Sequence, residues 1–241
     1  MMKKVIPLMA VTAALTGCVT NNSQEIEQLK AQINELETNQ RIIATNTNMA
    51  GLVQMPAEIR FDQGIALGNP NAPIAMVEFT DLQCPYCAKF QTDVFPEFKK
   101  QYIDTGKVYY VAKELPLSSI HPEAMNAAIA LRCTAEQSIE KYEPMKDELF
   151  SIGRGLKEAS YNEAATKFEL NTELFFTCMT SDAQRKEVAS SYKYAMSLGL
   201  RSTPSFIFGK NTGKSVTDYK VVKGGLTLEE IDKATAIVSG K

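Results

Sequence analysis

Hydrophobic residues recur along this chain with different spacings, and each spacing predicts a different element. Between residues 24 and 43, Ile26, Leu29, Ile33 and Leu36 follow alternating steps of three and four. That is heptad spacing, with isoleucine at a and leucine at d. Gln40 takes the next a position and Ile43 the next d, while Glu25 at g and Lys30 at e can pair between parallel helices. A single helix with so narrow an apolar seam is marginal in water. The pattern therefore predicts either self-association, with two strands preferred, or a solvated spacer. From Ala44 it dissolves through "TNTNMAGLVQMPAE", whose Asn, Thr, Gly and Pro content reads as a linker.

A globular part begins near Glu58. The runs "PIAMVEF" (73–79) and "KVYYVAKEL" (107–115) predict buried strands. Between them, apolar or aromatic residues at 87, 90, 94, 95, 98 and 102 predict a helix, with a kink at Pro96. From Pro122 to about Leu200 every segment reads helical. "PSFIFG" and "DYKVVKG" then read as short strands, and "TLEEIDKATAIVSG" as a closing helix started by Thr227 with Glu230 three residues on. The predicted fold class is α/β: a small sheet interrupted by an all-helical insertion at about 118–199, preceded by a short N-terminal coiled-coil helix.

Composition changes this picture little. With 44% hydrophobic and 22% charged residues the chain can build one real core. The net charge of −2, with no basic patch, argues against a nucleic-acid partner. The N-terminus is more informative. "MMKK" is followed by the apolar run "VIPLMAVTAAL", too short for the roughly 20 residues that span a bilayer and laid out as an export signal. It ends in "LTGC", which resembles the lipobox of bacterial lipoproteins. The resemblance implies a signal peptide over residues 1–17, a lipid-anchored tether, helix and linker over 18–57, and attachment of lipid to Cys18. Val19 after it would point to the outer membrane, with the protein facing the periplasm. An ordinary secretory signal with an unrelated cysteine is the alternative. Parity favours the lipid. The chain has five cysteines, and lipidating Cys18 leaves two pairs, which can be oxidised outside the cytoplasm.

Candidate chemistry centres on "FTDLQCPYCAKF", where strand becomes helix. Cys84 falls at the helix N-cap and Pro85 at the first helical position, where a missing N–H costs nothing. Unpaired amides and the positive end of the helix then face the Cys84 sulfur and favour the thiolate. A thiolate is both nucleophile and good leaving group in disulfide exchange. Cys87, one turn further in, is placed to resolve a mixed disulfide at Cys84. A metal site is the weaker reading. Structural zinc takes four ligands, the single histidine, His121, is far from the pair in sequence and reads as part of the helix start at Pro122, and two thiolates for Cu(I) have no supporting motif. An inert staple is the third reading. No metal and no cofactor is expected.

"VEFTDLQCPYC", "STPSF" and the helical insertion together resemble the bacterial DsbA-type thiol–disulfide oxidoreductases, over roughly residues 58 to 240. The resemblance implies a thioredoxin fold with an inserted helical domain, in a DsbA-like domain over 58–241. It implies a cis Thr203–Pro204 bond facing the cysteine pair, with the Thr203 backbone available to an extended substrate peptide. Members of the family carry a bridge in the insertion, where Cys133 and Cys178 lie in two predicted helices. A structural bridge is expected there, with a second exchanging pair as the sharper alternative. The family often has an acid at the position of Glu78. Within apolar "IAMVEF" a buried carboxylate could relay a proton from Cys87, with Lys113 as its partner; an exposed or merely salt-bridged glutamate is the alternative. The partners implied are cysteine-containing protein substrates, a redox partner protein, a membrane through the lipid, and a second copy through residues 24–43. A tethered adaptor or soft-metal carrier is the alternative function. The direction of exchange stays open, because "PY" and the threonine resemble isomerases and some oxidases, whereas the insertion resembles monomeric oxidases.

Overall fold

The structure, a computed structural model, describes residues 16–46 and 55–240, so residues 1–15 of the expected signal peptide lie outside the described residues. Six strands form one sheet: β1 (Ile59–Arg60), β2 (Ile65–Leu67), β3 (Ile74–Thr80), β4 (Val108–Glu114), β5 (Ser205–Asn211) and β6 (Ser215–Lys223), in the order β1-β6-β5-β3-β4-β2. β3 runs parallel to β4 and antiparallel to β5. All seven of its residues are buried, which is why its sequence reads as a continuous apolar run rather than an alternation. β1 and β2 have two and three residues, too few to show a period, and were not predicted.

Strand alternation divides the core between the two faces of the sheet. Ile74 and Met76 of β3, Val108, Tyr110 and Ala112 of β4, and Phe206 and Phe208 of β5 belong to the larger cluster. Ala75, Val77, Phe79, Val111 and Ile207 belong to the other, with Ile59 and Phe61. The first face is covered by α2 (Pro85–Asp93) and α3 (Phe95–Phe98), the latter running into a π-helical turn, Lys99–Ile103. Instead of a kink at Pro96, the helix ends at Asp93 and restarts at Phe95, which puts Pro96 in a first turn that needs no N–H from it.

The insertion holds α4 (Ala124–Gln137), α5 (Tyr142–Ile152), α6 (Glu158–Lys167), α7 (Thr172–Met179) and α8 (Asp182–Ser197). The end of α8 packs Ala195 and Leu198 on the second face of the sheet. α9 (Leu228–Val238) starts on the expected capping box: the Glu230 amide donates to Thr227 Oγ1 at 3.3 Å and the Thr227 amide to Glu230 Oε2 at 2.8 Å. The expected thioredoxin-like arrangement with a helical insertion is thus present.

α1 (Thr16–Asn46) is a 31-residue helix that touches α8. It runs through "VTNNS", expected as a polar tether, since that stretch contains no glycine or proline to stop it. Ala44 is buried, whereas Ile26, Leu29, Ile33 and Leu36 are 48, 51, 54 and 68% exposed. Among the described residues no helix is long and apolar enough to cross a membrane.

Candidate active site

A four-residue turn, Asp81 to Cys84, delivers the chain from β3 to α2, and Asp81 builds it. Its carboxylate accepts from the Gln83 amide at 2.8 Å and the Leu117 amide at 2.8 Å, and its carbonyl accepts from the Cys84 amide at 3.0 Å. Cys84 is thereby set at the N-cap in extended conformation, φ −80° and ψ 119°, with Pro85 beginning the helix. The Gln83 side chain accepts from the Glu123 amide at 2.7 Å, so the first loop of the insertion is fastened to the cysteine turn. His121 belongs to this fastening. Its buried ring lies with Nδ1 2.8 Å from Asp81 Oδ2, and α4 starts at Ala124 rather than at the expected Pro122. Sequence reasoning missed Asp81, although an aspartate two residues before an N–H it can accept from is a recognisable turn signal.

Both cysteines are free thiols. Cys84 is 5% exposed and Cys87 fully buried. The Cys84 thiol lies 3.3 Å from the Thr203 carbonyl oxygen, across the cis Thr203–Pro204 peptide. The Cys84 pKa is pushed down from an ordinary 9.0 to about 5, first by the Cys87 thiol donating to its sulfur, then by the Thr203 side chain and the amides of Cys87 and Tyr86, all against the cost of burial. The Thr203 hydroxyl is buried with no other partner, which leaves it available to the anion. Cys87 is pushed well up, by burial first, then by its hydrogen bond to Cys84 and the charges of Cys84 and Glu78. The site holds one stabilised anion and one thiol that keeps its proton. The helix start was legible in sequence; the larger contribution of the second thiol was not.

Alternation along β3 puts Glu78 on the face that α2 covers. It is fully buried. Its Oε2 accepts a short hydrogen bond from the Tyr110 hydroxyl and a charged one from Lys146 Nζ at 3.1 Å, while Oε1 has no partner. The expected partner, Lys113, does not reach it. Glu78 is in register with Ala112 on β4, so the next residue, Lys113, points to the opposite face and donates to the Asp62 carbonyl at 3.0 Å. Lys146 was missed, and nothing in one helix's sequence pattern announces a contact 68 residues away.

Cys133 and Cys178 are joined by a disulfide between α4 and α7, with Cα atoms 5.7 Å apart. Cys18 lies in the first turn of α1, and its side chain is outside the described residues.

A family model described as thioredoxin matches residues 61–224. A Rickettsia felis protein, provisionally named a protein-disulfide oxidoreductase, is 31% identical over 131 residues, which are 48% of this chain and 46% of that one. A Salinispora tropica protein named Na(+)/H(+) antiporter NhaA 3 is 27% identical over 65% of this chain but only 23% of its own length. The chain therefore spans less than half of these curated relatives. Among solved structures, α-DsbA1 of Wolbachia pipientis superimposes with a TM-score of 0.65 at 25% identity, covering 76% of this chain and 94% of that one.

Proposed function

This chain belongs to the thioredoxin family, and on that premise we propose that it catalyses thiol–disulfide exchange on exported proteins through Cys84 and Cys87. In the oxidising direction a substrate thiolate attacks Cys84 Sγ of a Cys84–Cys87 disulfide. The Cys84–substrate bond forms, and Cys87 leaves and takes up a proton. A second substrate thiol, as thiolate, then attacks the substrate sulfur, a disulfide forms in the substrate, and Cys84 departs as thiolate. The observation that carries this reading is the placement of Cys84 at the N-cap of α2, across from the cis Thr203–Pro204 peptide and one turn before Cys87, a setting that favours the Cys84 anion and pushes its pKa down to about 5. Stabilising that anion stabilises the reduced protein and makes the couple oxidising, so the direction favoured is oxidation of clients. Equilibration against glutathione tests it: a couple as reducing as an ordinary cytosolic dithiol would overturn the direction, and absence of exchange would overturn the function.

Thr203 and Pro204 form the substrate-facing wall in this reading. Glu78 takes or gives the Cys87 proton, and Cys133–Cys178 is a structural bridge. The partners are cysteine-containing proteins and a redox protein that resets the pair. A tethered adaptor or soft-metal carrier is less well supported, since the family match and the protein-disulfide oxidoreductase relatives favour exchange.

The domain scheme belongs to the same proposal: signal to residue 17, anchored tether and helix over 18–57, exchange domain over 58–241. Lipid on Cys18 is supported by "LTGC" and by the even number of cysteines left after it, one disulfide, Cys133–Cys178, and two neighbouring thiols, Cys84 and Cys87; the likeness of "LTGC" to a lipobox makes Val19 the residue that would direct the protein to the outer membrane. Labelled palmitate should be incorporated by the wild type and not by Cys18→Ala. The exposed seam of Ile26, Leu29, Ile33 and Leu36 supports a parallel pair of α1 helices, since water-exposed isoleucine and leucine at a and d positions gain by mutual burial. Light scattering of the anchor-free chain should give a dimer that Leu29→Asp with Leu36→Asp reduces to a monomer.

A further inference from the structure

Helix α2 begins without a means of holding its own first turn. A serine, threonine or aspartate at an N-cap accepts from the amide two or three residues on and so locks its own backbone. Cys84 makes no such side-chain bond, and Pro85 after it brings no N–H. The conformation that turns the Cys84 sulfur toward the amides of Cys87 and Tyr86 therefore has to be imposed from outside the helix.

Asp81 and Gln83 impose it, and each reaches into the insertion. Asp81, 2% exposed, holds the Cys84 amide on its carbonyl. Its carboxylate is held in turn by the loop that leads into α4, where the Leu117 amide and the His121 ring both meet Oδ2. An ionised carboxylate only accepts, so His121 Nδ1 carries the hydrogen. That loop is itself closed: the His121 amide donates to the Leu117 carbonyl at 3.0 Å, and the Ala124 amide to the His121 carbonyl at 3.1 Å. Gln83 makes the second grip. Beside its bond from the Glu123 amide, its Nε2 donates to the Gly153 carbonyl at 3.4 Å, directly after α5. Glu123 is steadied by the Tyr161 hydroxyl of α6 at 3.0 Å.

We propose that His121 is a positioning residue for the exchange reaction: through Asp81 it fixes the Cys84 backbone at the start of α2, and by this clamp the helical insertion sets the reactivity of the Cys84 sulfur. The inference rests on the exchange reading above. Among the described residues no hydrogen bond joins His121 to either cysteine, so its route to the sulfur is the turn. Losing its N–H leaves Asp81 Oδ2 with the Leu117 amide as donor, frees the carboxylate to rotate, and lets the Asp81 carbonyl drift from the Cys84 amide. The sulfur then spends less time against the amides that favour its anion.

The test uses the whole protein. His121→Leu fills most of the ring's volume and removes its N–H. It should raise the midpoint of the Cys84 thiolate absorbance by about one pH unit, the size of a weakened hydrogen bond to an anion. At neutral pH the equilibrium with glutathione should move about tenfold toward a less oxidising couple, because one pH unit and one decade are the same free energy. A residue that merely held the insertion in place would lower stability and leave both readings alone. His121→Asn, which can offer an amide N–H to the same oxygen, should bring both back toward wild type. A folded His121→Leu protein with the wild-type midpoint and glutathione equilibrium overturns the inference. Should that variant not fold, Asp81→Asn breaks the same link from the other side. Loss of a nearby negative charge would by itself lower the midpoint, so a rise supports the clamp and a midpoint at or below wild type overturns it. A wild type that never equilibrates with glutathione would instead remove the exchange reading, while the absorbance midpoints would still decide the positioning.

Discussion

Cys84 and Cys87 sit on the first turn of one helix, whereas Cys133 and Cys178 are 45 residues apart and tie α4 to α7. Exposure does not separate the pairs, because Cys84 is 5% exposed and Cys133 fully buried. Position along the helix does. Amides at the start of α2 have no helical acceptor and can turn to a sulfur. Cys133 lies inside α4, where the amides are already used, and Cys178 lies in the last turn of α7, where the negative end of the helix disfavours a thiolate. The same side chain is a reactive anion in one setting and a cross-link in the other.

The sharpest way to break that contrast is to exchange the roles. Cys84→Ser should abolish turnover of a small disulfide substrate, while Cys178→Ser leaves the rate near wild type. A folded Cys178→Ser protein without activity would show that the second pair also exchanges. Next in size, replacing Cys133 and Cys178 together by alanine should lower the unfolding free energy by about 4 kcal/mol on the chain-entropy estimate for such a loop, read from urea titration. Little or no loss would mean that the bridge is not structural.

Thiolate absorbance of the reduced protein should titrate one cysteine per chain with a midpoint of about 5. Because this folded-state value lies below the ordinary 9.0, the thiolate stabilises the reduced fold fully above pH 9 and loses that contribution as pH falls through about 5. The stability difference between wild type and Cys84→Ser, both reduced, should shrink across that window. Smallest of these effects, Thr203→Val removes one donor to the anion and should raise the midpoint above about 5 without touching the Cys133–Cys178 bridge.

Features carried by neighbouring residues were legible in the sequence. The buried strand before the cysteines, the proline after the N-cap, the Thr–Pro dipeptide before an apolar strand and the Thr227–Glu230 cap each lie within a short window. What depended on register or on distant packing was not. Lys113 was paired with Glu78 because both lie in apolar strands, but facing depends on the alignment of β3 with β4, and a shift of one residue reverses it. His121, Asp81 and Lys146 meet their partners across the boundary between core and insertion, which no periodicity encodes.

α1 has a consequence for where the chemistry can be delivered. Thirty-one residues in a helix extend about 46 Å, whereas the same number as flexible coil would average about 30 Å and wander through every shorter distance. Because α1 is seated on α8, an anchor on Cys18, as proposed, would be kept at a set stand-off from the thiols. On that reading clients would be met within a shell of roughly constant radius, and deleting one helical turn should draw that shell inward by about 5.4 Å.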